Sequence, residues 1–392
     1  MNDVKKRLRR ELAHVEPSPD GLEKTLRLVR RRERNRRAGA AAVGLLLLPG
    51  LALGVWLSLR SQQRLPAPPP AATSGPVAGP GEPRLFLAGA GELWVVDVAG
   101  GSVRHRSLPQ LSPGDPPYRI VRRGDKLVLW SYQTLTLEPS SPAAQPEVLV
   151  RDSWIFIPAA APDRIWVGIL DRKSPETERR LAAVREVTVD GRVTVGDVRP
   201  PEGRWPVAAT RSGLVFPSHG SGPGGLDQLE LWNPLTRKVL RRLPGDHAVA
   251  SHGDLLAWCR QPCARLHVTD AATGEDVEVR PPAGAFGFDA NGAFSPDGKL
   301  IAVPVRSDPS LTTQDPKWRL ALVDVEEGSA TLVQGPTLQG YVFVDWSPAG
   351  TTVFITGGDR FKQRTILEYR LGTASARRLP VKVGDFFGMA AT

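Results

Sequence analysis

The sequence lacks the short motifs that mark most catalytic and metal-binding sites. It contains no H-E-x-x-H, no G-x-S-x-G and no G-x-x-x-x-G-K-[ST], the signatures of zinc peptidases, α/β-hydrolases and P-loop proteins. His247 and His252, five residues apart near a predicted strand start, are not taken as metal ligands. The stretch 289–292 is too short for an EF-hand loop. We therefore predict no catalytic, cofactor-binding or metal-binding residue and no cofactor.

Cysteine is scarce as well. The chain has 2 cysteines, Cys259 and Cys263, in the stretch DLLAWCRQPCARLHV. They lack nearby His or Cys partners for a metal site, and the C-x-x-C motif of redox proteins is absent. The stretch predicts a β-hairpin whose opposed strands bring the two cysteines within reach of a disulfide bond. Such a bond persists in an oxidising compartment outside the cytoplasm.

One long stretch has no charge at all. Residues 38–59, AGAAAVGLLLLPGLALGVWLSL, follow the block RRRERNRR. As a helix they would span roughly 33 Å, close to the hydrocarbon thickness of a bilayer. A cleaved signal peptide, one alternative, has a shorter amino-terminal region and an A-x-A-like cleavage site. A buried core helix, the other alternative, does not fit the basic flank. We predict a single transmembrane helix at 38–59.

Positive charge is concentrated before this run. Residues 1–37 carry 13 Lys and Arg against 6 Asp and Glu, a net +7 out of +10 for the whole chain. Positive flanks remain in the cytoplasm, so we expect the N-terminus inside and the rest outside. The flank is also expected to contact anionic headgroups. Because the excess charge lies beside the membrane, it does not indicate nucleic-acid binding.

The first 37 residues also show two short apolar stripes at helical spacing, which predict two amphipathic helices in a cytoplasmic segment 1–37. A short helical segment, an Arg-rich flank, one span and a large outer part resemble the layout of membrane-bound anti-sigma factors. Zinc-binding members of that family have an H-x3-C-x2-C motif, whereas this chain has His14 but no cysteine before Cys259. The resemblance implies a cytoplasmic protein partner such as a sigma factor, without the zinc site.

A proline-rich linker follows the apolar run. Seven prolines lie between residues 66 and 83, which prevents both helix and sheet. We expect an extended spacer over residues 60–84, followed by a separate domain over residues 85–392.

The domain repeats a strand–turn–strand motif. The copies are ELWVVDVAGGSVRHRSL (92–108), ELWNPLTRKVLRRL (230–243), RLHVTDAATGEDVEV (265–279), RLALVDVEEGSATLV (319–333) and ILEYRLGTASARRL (366–379). In four copies an Asp or Asn starts the turn, where its side chain can accept hydrogen bonds from the following backbone. These residues are Asp97, Asn233, Asp270 and Asp324.

A second motif precedes some of these hairpins. AFSPDGKLIAVPV (293–305) and DWSPAGTTVFITG (345–357) share an aromatic-Ser-Pro-x-Gly turn between two strands. Proline presets φ at the first corner, and glycine supplies a positive φ. The predicted turn residues are Ser295, Pro296, Asp297, Gly298, Ser347, Pro348 and Gly350. Degenerate copies are VRRGDKLVLW (121–130), ATRSGLVFP (209–217) and ASHGDLLAW (250–258).

Turn motif and hairpin together make a four-stranded unit. Units start near residues 117, 153, 206, 247, 288 and 341, after a partial unit at 85. Seven units average about 44 residues, the length of a WD40-type propeller blade. The SPDG-type turns resemble those of PD40/TolB-class WD40-like β-propellers, although the GH…WD signature is missing. We predict an all-β fold, a seven-bladed β-propeller, with six or eight blades as alternatives.

The first unit supplies three strands instead of four. We predict that residues 385–390 form its missing inner strand, so that strands from both ends of the domain close the ring and remove its open edges.

Two functions from different classes remain. The first is a membrane-anchored binding or sensing module that takes an extracytoplasmic protein or small ligand at one end of the propeller channel. The second is an extracytoplasmic enzyme, lactonase- or lyase-like, with a metal at the channel mouth. That enzyme needs several inward-pointing Glu, Asp, Asn or His residues, and equivalent positions of the units do not supply them. We favour the non-enzymatic function.

Overall fold

A computed structural model describes residues 83–392, except 90, 109–117, 132–133, 138–145, 152, 172–179, 219–227, 290, 309–315, 359–363 and 385. The predicted cytoplasmic segment, the predicted transmembrane helix and all but the end of the predicted linker lie outside the described residues. Within the described residues, no helix has both the length and the apolar character needed to cross a bilayer.

The described residues form seven antiparallel sheets. The strands of the first three blades are β1 (Arg84–Ala88), β2 (Glu92–Asp97), β3 (Val103–Ser107), β4 (Arg119–Arg123), β5 (Lys126–Trp130), β6 (Thr134–Leu137), β7 (Glu147–Val150), β8 (Ser153–Pro158), β9 (Arg164–Leu170), β10 (Leu181–Thr188) and β11 (Val193–Val198). A short 3₁₀ helix, Pro201–Gly203, follows. The next strands are β12 (Ala208–Ala209), β13 (Leu214–Ser218), β14 (Gln228–Asn233), β15 (Lys238–Leu243), β16 (His247–His252), β17 (Leu255–Cys259), β18 (Leu266–Asp270) and β19 (Asp276–Val279). The last are β20 (Ala293–Phe294), β21 (Leu300–Arg306), β22 (Lys317–Asp324), β23 (Ser329–Leu332), β24 (Leu338–Gln339), β25 (Phe343–Trp346), β26 (Thr352–Gly357), β27 (Thr365–Arg370), β28 (Arg377–Arg378) and β29 (Gly388–Ala391).

Each sheet is one blade. In blades 2 to 7 the strands follow one another in chain order from the channel outwards. Blades 2 to 7 begin with β4, β8, β12, β16, β20 and β25, while blade 1 has the order β29-β1-β2-β3. The short strand β24 adds to blade 6 by pairing with β22. The blades begin close to the residues expected from the repeat, and the prediction of an all-β, seven-bladed propeller is confirmed.

The first strands of the blades surround a central channel. β29 contacts both β4 and β25, β12 contacts β8 and β16, and β20 contacts β16 and β25. Blade 2 is joined to blade 3 by Arg123 at the end of β4, whose Nη2 donates hydrogen bonds to the carbonyls of Ala159 and Ala161. The ring is therefore continuous from blade to blade.

The apolar core lies between the blades. Successive side chains of a strand point to opposite faces, so one strand serves two interfaces. In β1, Phe86 and Ala88 pack with blade 2, whereas Leu85 and Leu87 pack with blade 7. Across the described residues, seven such clusters occur, one at each junction between neighbouring blades. Fully burying one such aliphatic or aromatic side chain contributes about 1.5–3 kcal/mol.

The closing strand is β29. It pairs with β1 in antiparallel register, with Leu85 opposite Ala391 and Ala88 opposite Gly388. The predicted inner strand of blade 1 is therefore present, but it begins later than the expected residue 385. The reason is Phe386, which is fully buried in the cluster between blades 7 and 1 and anchors the chain just before pairing begins.

The Asp and Asn residues predicted at the hairpin turns share one geometry. Asp97 Oδ1 accepts hydrogen bonds from the backbone N–H groups of Ala99 and Gly100, both at 3.1 Å. Asn233, Asp270 and Asp324 accept the equivalent pair of bonds at 2.8–3.0 Å. We call these turns, between the third and fourth strands of a blade, the outer turns.

Ser295 and Ser347 organise the two Ser-Pro-x-Gly turns in the same way. Each carbonyl accepts a 2.9 Å hydrogen bond from the turn glycine, Gly298 or Gly350. Each Oγ accepts another bond from the backbone N–H five residues on, at 2.9 Å for Ser295 and 3.1 Å for Ser347. Both glycines have a positive φ, +75° and +69°, which glycine adopts without steric cost.

Asp297 adds a side-chain contact in the first of these turns, because its Oδ1 accepts a 2.6 Å bond from Ser295 Oγ. We call the turns between the first and second strands of a blade the inner turns.

The cysteine hairpin differs from its prediction. Cys259 ends β17 and lies opposite Leu266, while Cys263 belongs to the connecting turn. The expectation that the two cysteines face each other from opposed strands is therefore wrong. The turn folds back through a hydrogen bond from the N–H of Cys263 to the carbonyl of Arg260. This brings the Cα atoms of the cysteines to 5.1 Å, and the structure joins them by a disulfide bond.

Candidate functional site at the channel mouth

The central channel contains a cavity of about 770 Å³. Its wall takes residues from the first strand of every blade, or from the turn that follows it. Much of the wall is small and apolar, including Ala208, Ala248, Ala250, Ala293 and Ala391. A concave site of this volume suits a small molecule.

Inner turns of neighbouring blades touch one another at one end of this cavity. The backbone N–H of Arg211, in blade 4, donates a 2.9 Å bond to the carbonyl of Gly253 in blade 5. His252 of blade 5 lies so close to Gly298 of blade 6 that a Cβ on that glycine would be 2.8 Å from His252 Cδ2. We call this end of the channel the turn end.

Basic side chains are concentrated at the turn end. Arg122 and Arg123 come from blade 2, Arg211 from blade 4 and His252 from blade 5, and all four line the cavity. Of the described residues that form its wall, Asp345 is the one carboxylate. The cavity is therefore cationic at this end.

The side chain of Arg123 is held by hydrogen bonds to backbone carbonyls of blade 3. Besides its two bonds from Nη2, its Nε donates to the carbonyl of Arg164 at 3.0 Å. Burial lowers the pKa of Arg123 to about 10, against an opposing effect of Asp163. Arg123 still carries a positive charge at neutral pH, fixed in the cavity wall.

The side chains of Arg122 and Arg211 form no such hydrogen bonds with described residues of a neighbouring blade. Arg122 uses its Nε to donate to the carbonyl of Gly124 at 3.0 Å, and its Nη groups form no hydrogen bond with described residues. The guanidinium of Arg211 is exposed and has no hydrogen-bond or ion-pair partner in the part of the chain that the structure describes. Both side chains therefore have N–H donors at the cavity that no described residue accepts.

His252 is half-buried at the end of β16, with its ring centroid 6.0 Å from that of Phe294. Burial lowers its pKa below the ordinary value of 6.5. Arg211 and Arg123 act in the same direction, while Asp297 opposes them. His252 is therefore neutral at pH 7, with one ring nitrogen as donor and the other as acceptor.

Asp345 lies in the wall on β25. Its Oδ2 accepts a 2.8 Å bond from the N–H of Ala391, and its Oδ1 accepts a 2.9 Å bond from the N–H of Trp346. Burial raises its pKa to about 6, although these bonds and Arg122 favour the ionised form. At pH 7 the lining groups thus comprise three guanidinium ions, one largely ionised carboxylate and a neutral imidazole.

The residues predicted from sequence fall partly at this site. Pro296 and Pro348 line the cavity, and Ser295, Asp297, Ser347 and the two turn glycines shape the turns that hold them. The four outer-turn residues do not line the cavity. Cys263 borders a separate pocket of about 370 Å³, together with Phe286 and Trp318.

Sequence reasoning missed Arg122, Arg211 and His252 as site residues. The signal was present in the degenerate turn motifs, where a basic residue stands one or two positions before the turn glycine in VRRG, ATRSG and ASHG. An alignment of the repeats would have placed these residues at, or just after, the end of the first strand in blades 2, 4 and 5.

Over the part of the chain that the structure covers, no group of three or more His, Cys, Asp or Glu residues could hold a metal ion.

The chain has structural similarity to solved propellers. Apo AztD from Citrobacter koseri is 15% identical, with a TM-score of 0.43, and the match covers 79% of this chain and 98% of that one. A putative TolB from Agrobacterium tumefaciens is 14% identical, with a TM-score of 0.41 and coverage of 78% and 90%. A putative 6-phosphogluconolactonase from Bacteroides fragilis is 12% identical, with a TM-score of 0.43 and coverage of 81% and 100%.

No protein-family model matches the chain, and no curated protein sequence matches it. The seven sheets and the closure of the ring by β29 define the propeller fold.

Proposed function

We propose that this protein is a membrane-anchored, extracytoplasmic β-propeller that binds a ligand in its channel and is not itself an enzyme. The observation that carries the proposal is the cavity of about 770 Å³ with its cationic turn end. The Nη groups of Arg122 and the guanidinium of Arg211 are suited to holding a ligand, because they form no hydrogen bond with described residues.

The chemistry of the wall favours binding over catalysis. Covalent catalysis needs a nucleophile hydrogen-bonded to a base. Ser251 is the one hydroxyl among the described lining residues, and no hydrogen bond joins it to His252 or Asp345. The carboxylate of Asp345 is instead occupied by two backbone N–H groups.

The membrane part of the proposal comes from the sequence. The uncharged run 38–59 and the basic flank before it support a single span with the propeller outside. A ligand bound in the channel would then be sensed outside the cytoplasm. The helical segment 1–37 would offer a cytoplasmic protein, such as a sigma factor, a docking surface.

Cell fractionation tests the anchor. The full chain with a C-terminal tag should be in the membrane fraction and resist extraction by carbonate. Protease added to spheroplasts should remove the tagged propeller and spare residues 1–37. A soluble full chain, or a propeller protected in intact spheroplasts, would contradict the proposed topology.

Retention of small molecules tests the channel. The full chain in detergent is incubated with a small-molecule extract, desalted and analysed by mass spectrometry. Ala250→Trp places a large ring in the channel wall, and we expect it to abolish retention of whatever the wild type retains. Ala272→Trp, on an exposed outer turn, is the matched control and should behave as the wild type.

Equal retention by both variants would exclude the channel as the site. A stoichiometric divalent metal in the same preparation would favour the enzyme alternative.

The cytoplasmic partner is tested separately. Chemical cross-linking of the full chain in membranes should capture one specific protein through segment 1–37. The double substitution Leu8→Asp and Leu12→Asp, in the first apolar stripe, should eliminate that product. Unchanged cross-linking would contradict docking through this stripe.

A further inference from the structure

We propose that the turn end of the channel binds a phosphate group, with Arg122 and Arg211 as its direct ligands, His252 as a neutral hydrogen-bond donor and Arg123 as a fixed positive charge. This inference rests on the proposed function, because it names the chemistry of the ligand that the channel takes. The phosphate belongs either to a small soluble molecule or to a lipid headgroup, and the experiment below separates these sources.

The three arginines at the turn end differ in how many of their donors are already bonded. Arg123 shows what a structural arginine looks like here, because its donors are bonded to the carbonyls of Ala159, Ala161 and Arg164. Arg211 has no such partner among the described residues, and Arg122 uses only Nε. Two guanidinium groups beside one cavity, with N–H donors that no described residue accepts, are suited to a planar or tetrahedral oxyanion.

The carboxylates of Asp254 and Asp297 already accept hydrogen bonds from other groups. Asp254, in the inner turn of blade 5, accepts bonds from the N–H and Oγ of Ser212, the residue after Arg211, at 3.0 and 2.8 Å. Asp297, near His252, accepts bonds from Ser295 Oγ and from the N–H of Lys299. Both carboxylates therefore have hydrogen-bond partners other than Arg122 and Arg211.

The charge of the cavity lining is complementary to that of a phosphate group. Three guanidinium ions and one ionised carboxylate give the lining a net charge of about +2, with His252 neutral. A phosphate monoester carries about −1.5 to −2 at pH 7 and offers three acceptor oxygens. A single carboxylate would neutralise only half of this charge.

The donors at the turn end come from three different blades. Arg122 belongs to blade 2 and Arg211 to blade 4, while His252 follows in blade 5. The inner turn of blade 3 between them contributes Ala160 and Pro162, which carry no charge. The donors thus approach the cavity from separate sectors of the ring, and a group with several acceptor oxygens can use more than one of them.

Isothermal titration calorimetry on the full chain in uncharged detergent tests the inference. The probes are inorganic phosphate, glycerol 3-phosphate and the water-soluble lipid dihexanoyl phosphatidic acid. We expect at least one probe to bind with one-to-one stoichiometry. Tighter binding of glycerol 3-phosphate indicates a soluble ligand, and tighter binding of the short lipid indicates a headgroup.

Charge-removing variants locate the binding. Arg211→Gln and Arg122→Gln should each weaken binding at least tenfold, whereas Arg211→Lys should retain part of the affinity. The matched control is Arg199→Gln, which removes the same charge from an exposed position outside the cavity wall and should change the affinity less than twofold. Thermal melting of each variant verifies that it is folded.

Equal weakening by Arg199→Gln and Arg211→Gln would overturn the inference, since it would show general charge screening and not a site. Absence of binding for all three probes would also overturn it. If Ala250→Trp still abolished ligand retention in that case, the channel would remain the binding site and only its phosphate chemistry would be wrong. If the wild type retained nothing from the extract either, both proposals would be wrong.

Discussion

Asp345 and Ala391 are joined by a hydrogen bond from the backbone N–H of Ala391 to Oδ2 of Asp345, 2.8 Å long and spanning 46 residues of sequence. The bond connects the first strand of blade 7 to the closing strand of blade 1. Both residues also line the cavity. The seam at which the ring closes is therefore part of the wall of the candidate site, so ring closure and the shape of the site depend on the same contact.

The pKa of Asp345 predicts a pH dependence of stability. Its pKa is raised from 3.8 to about 6 in the folded protein, so the native state holds a proton that the unfolded chain has already lost between these values. The contribution of Asp345 to the free energy of unfolding is therefore fully present below about pH 4. It is lost as the pH rises through 6, and the loss is on the order of 3 kcal/mol.

Denaturant unfolding of the wild type and of Asp345→Asn at several pH values measures this effect. The wild type should lose stability relative to the variant between pH 4 and 7. A difference that does not vary with pH would contradict the assignment.

Removal of the closing strand should prevent correct folding. Deleting residues 388–392 leaves the inner edge of β1 without its partner and uncovers the junction between blades 1 and 2. Unpaired strand edges promote association, so we expect aggregation in size-exclusion chromatography with light scattering. Deleting Thr392 alone keeps β29 and should leave the protein monodisperse. A monodisperse product of the longer deletion, with unchanged melting, would refute closure by β29.

Gly388 is required by close packing of β29 on β4. A Cβ at this position would lie 2.7 Å from the backbone nitrogen of Ile120. Gly388→Ala should therefore destabilise the protein by about 1–3 kcal/mol, as overpacking does elsewhere. Gly196→Ala is the matched control, since a Cβ there meets no atom within 4 Å, and its effect should stay within about 0.5 kcal/mol. Equal stability of the two variants in denaturant unfolding would show that the seam can relax.

The disulfide between Cys259 and Cys263 should stabilise the propeller modestly. It closes a loop of five residues, for which the chain-entropy estimate is about 2 kcal/mol. The double variant Cys259→Ala and Cys263→Ala should lose at least this amount, because Cys259 is also fully buried in the cluster between blades 5 and 6. Alkylation of the native, unreduced protein followed by mass spectrometry should detect no free thiol. Two alkylated cysteines would show that the bond does not form in the cell.

Much of the fold was predictable because a blade is a local unit. Residues within about 44 positions supply both the strands and the turns that connect them. Asp97 and Ser295, for example, hold their turns through bonds to residues two to five positions away. Even the closing strand could be predicted, since a missing strand in the first unit requires a donor elsewhere.

The connection around Cys263 shows where the pattern was insufficient. The sequence indicated a hairpin, but the register depends on how many residues enter the turn. Leu266, not Cys263, lies opposite Cys259 because the turn takes six residues and folds back on itself. The length of the turn depends on which side chains fit the junction with the next blade. The local sequence pattern contains no information about that junction.

The sequence by itself determined the all-β repeat, a blade length of about 44 residues and the need for a closing strand, because backbone hydrogen bonds and turn chemistry act over short distances. Only the tertiary structure decided that Arg122, Arg211 and His252 belong to one site. They lie in different blades, up to 130 residues apart, and each occupies an ordinary turn when considered alone. Closing the ring brings the ends of the inner strands together around one channel, and the cationic mouth exists only once that closure is made.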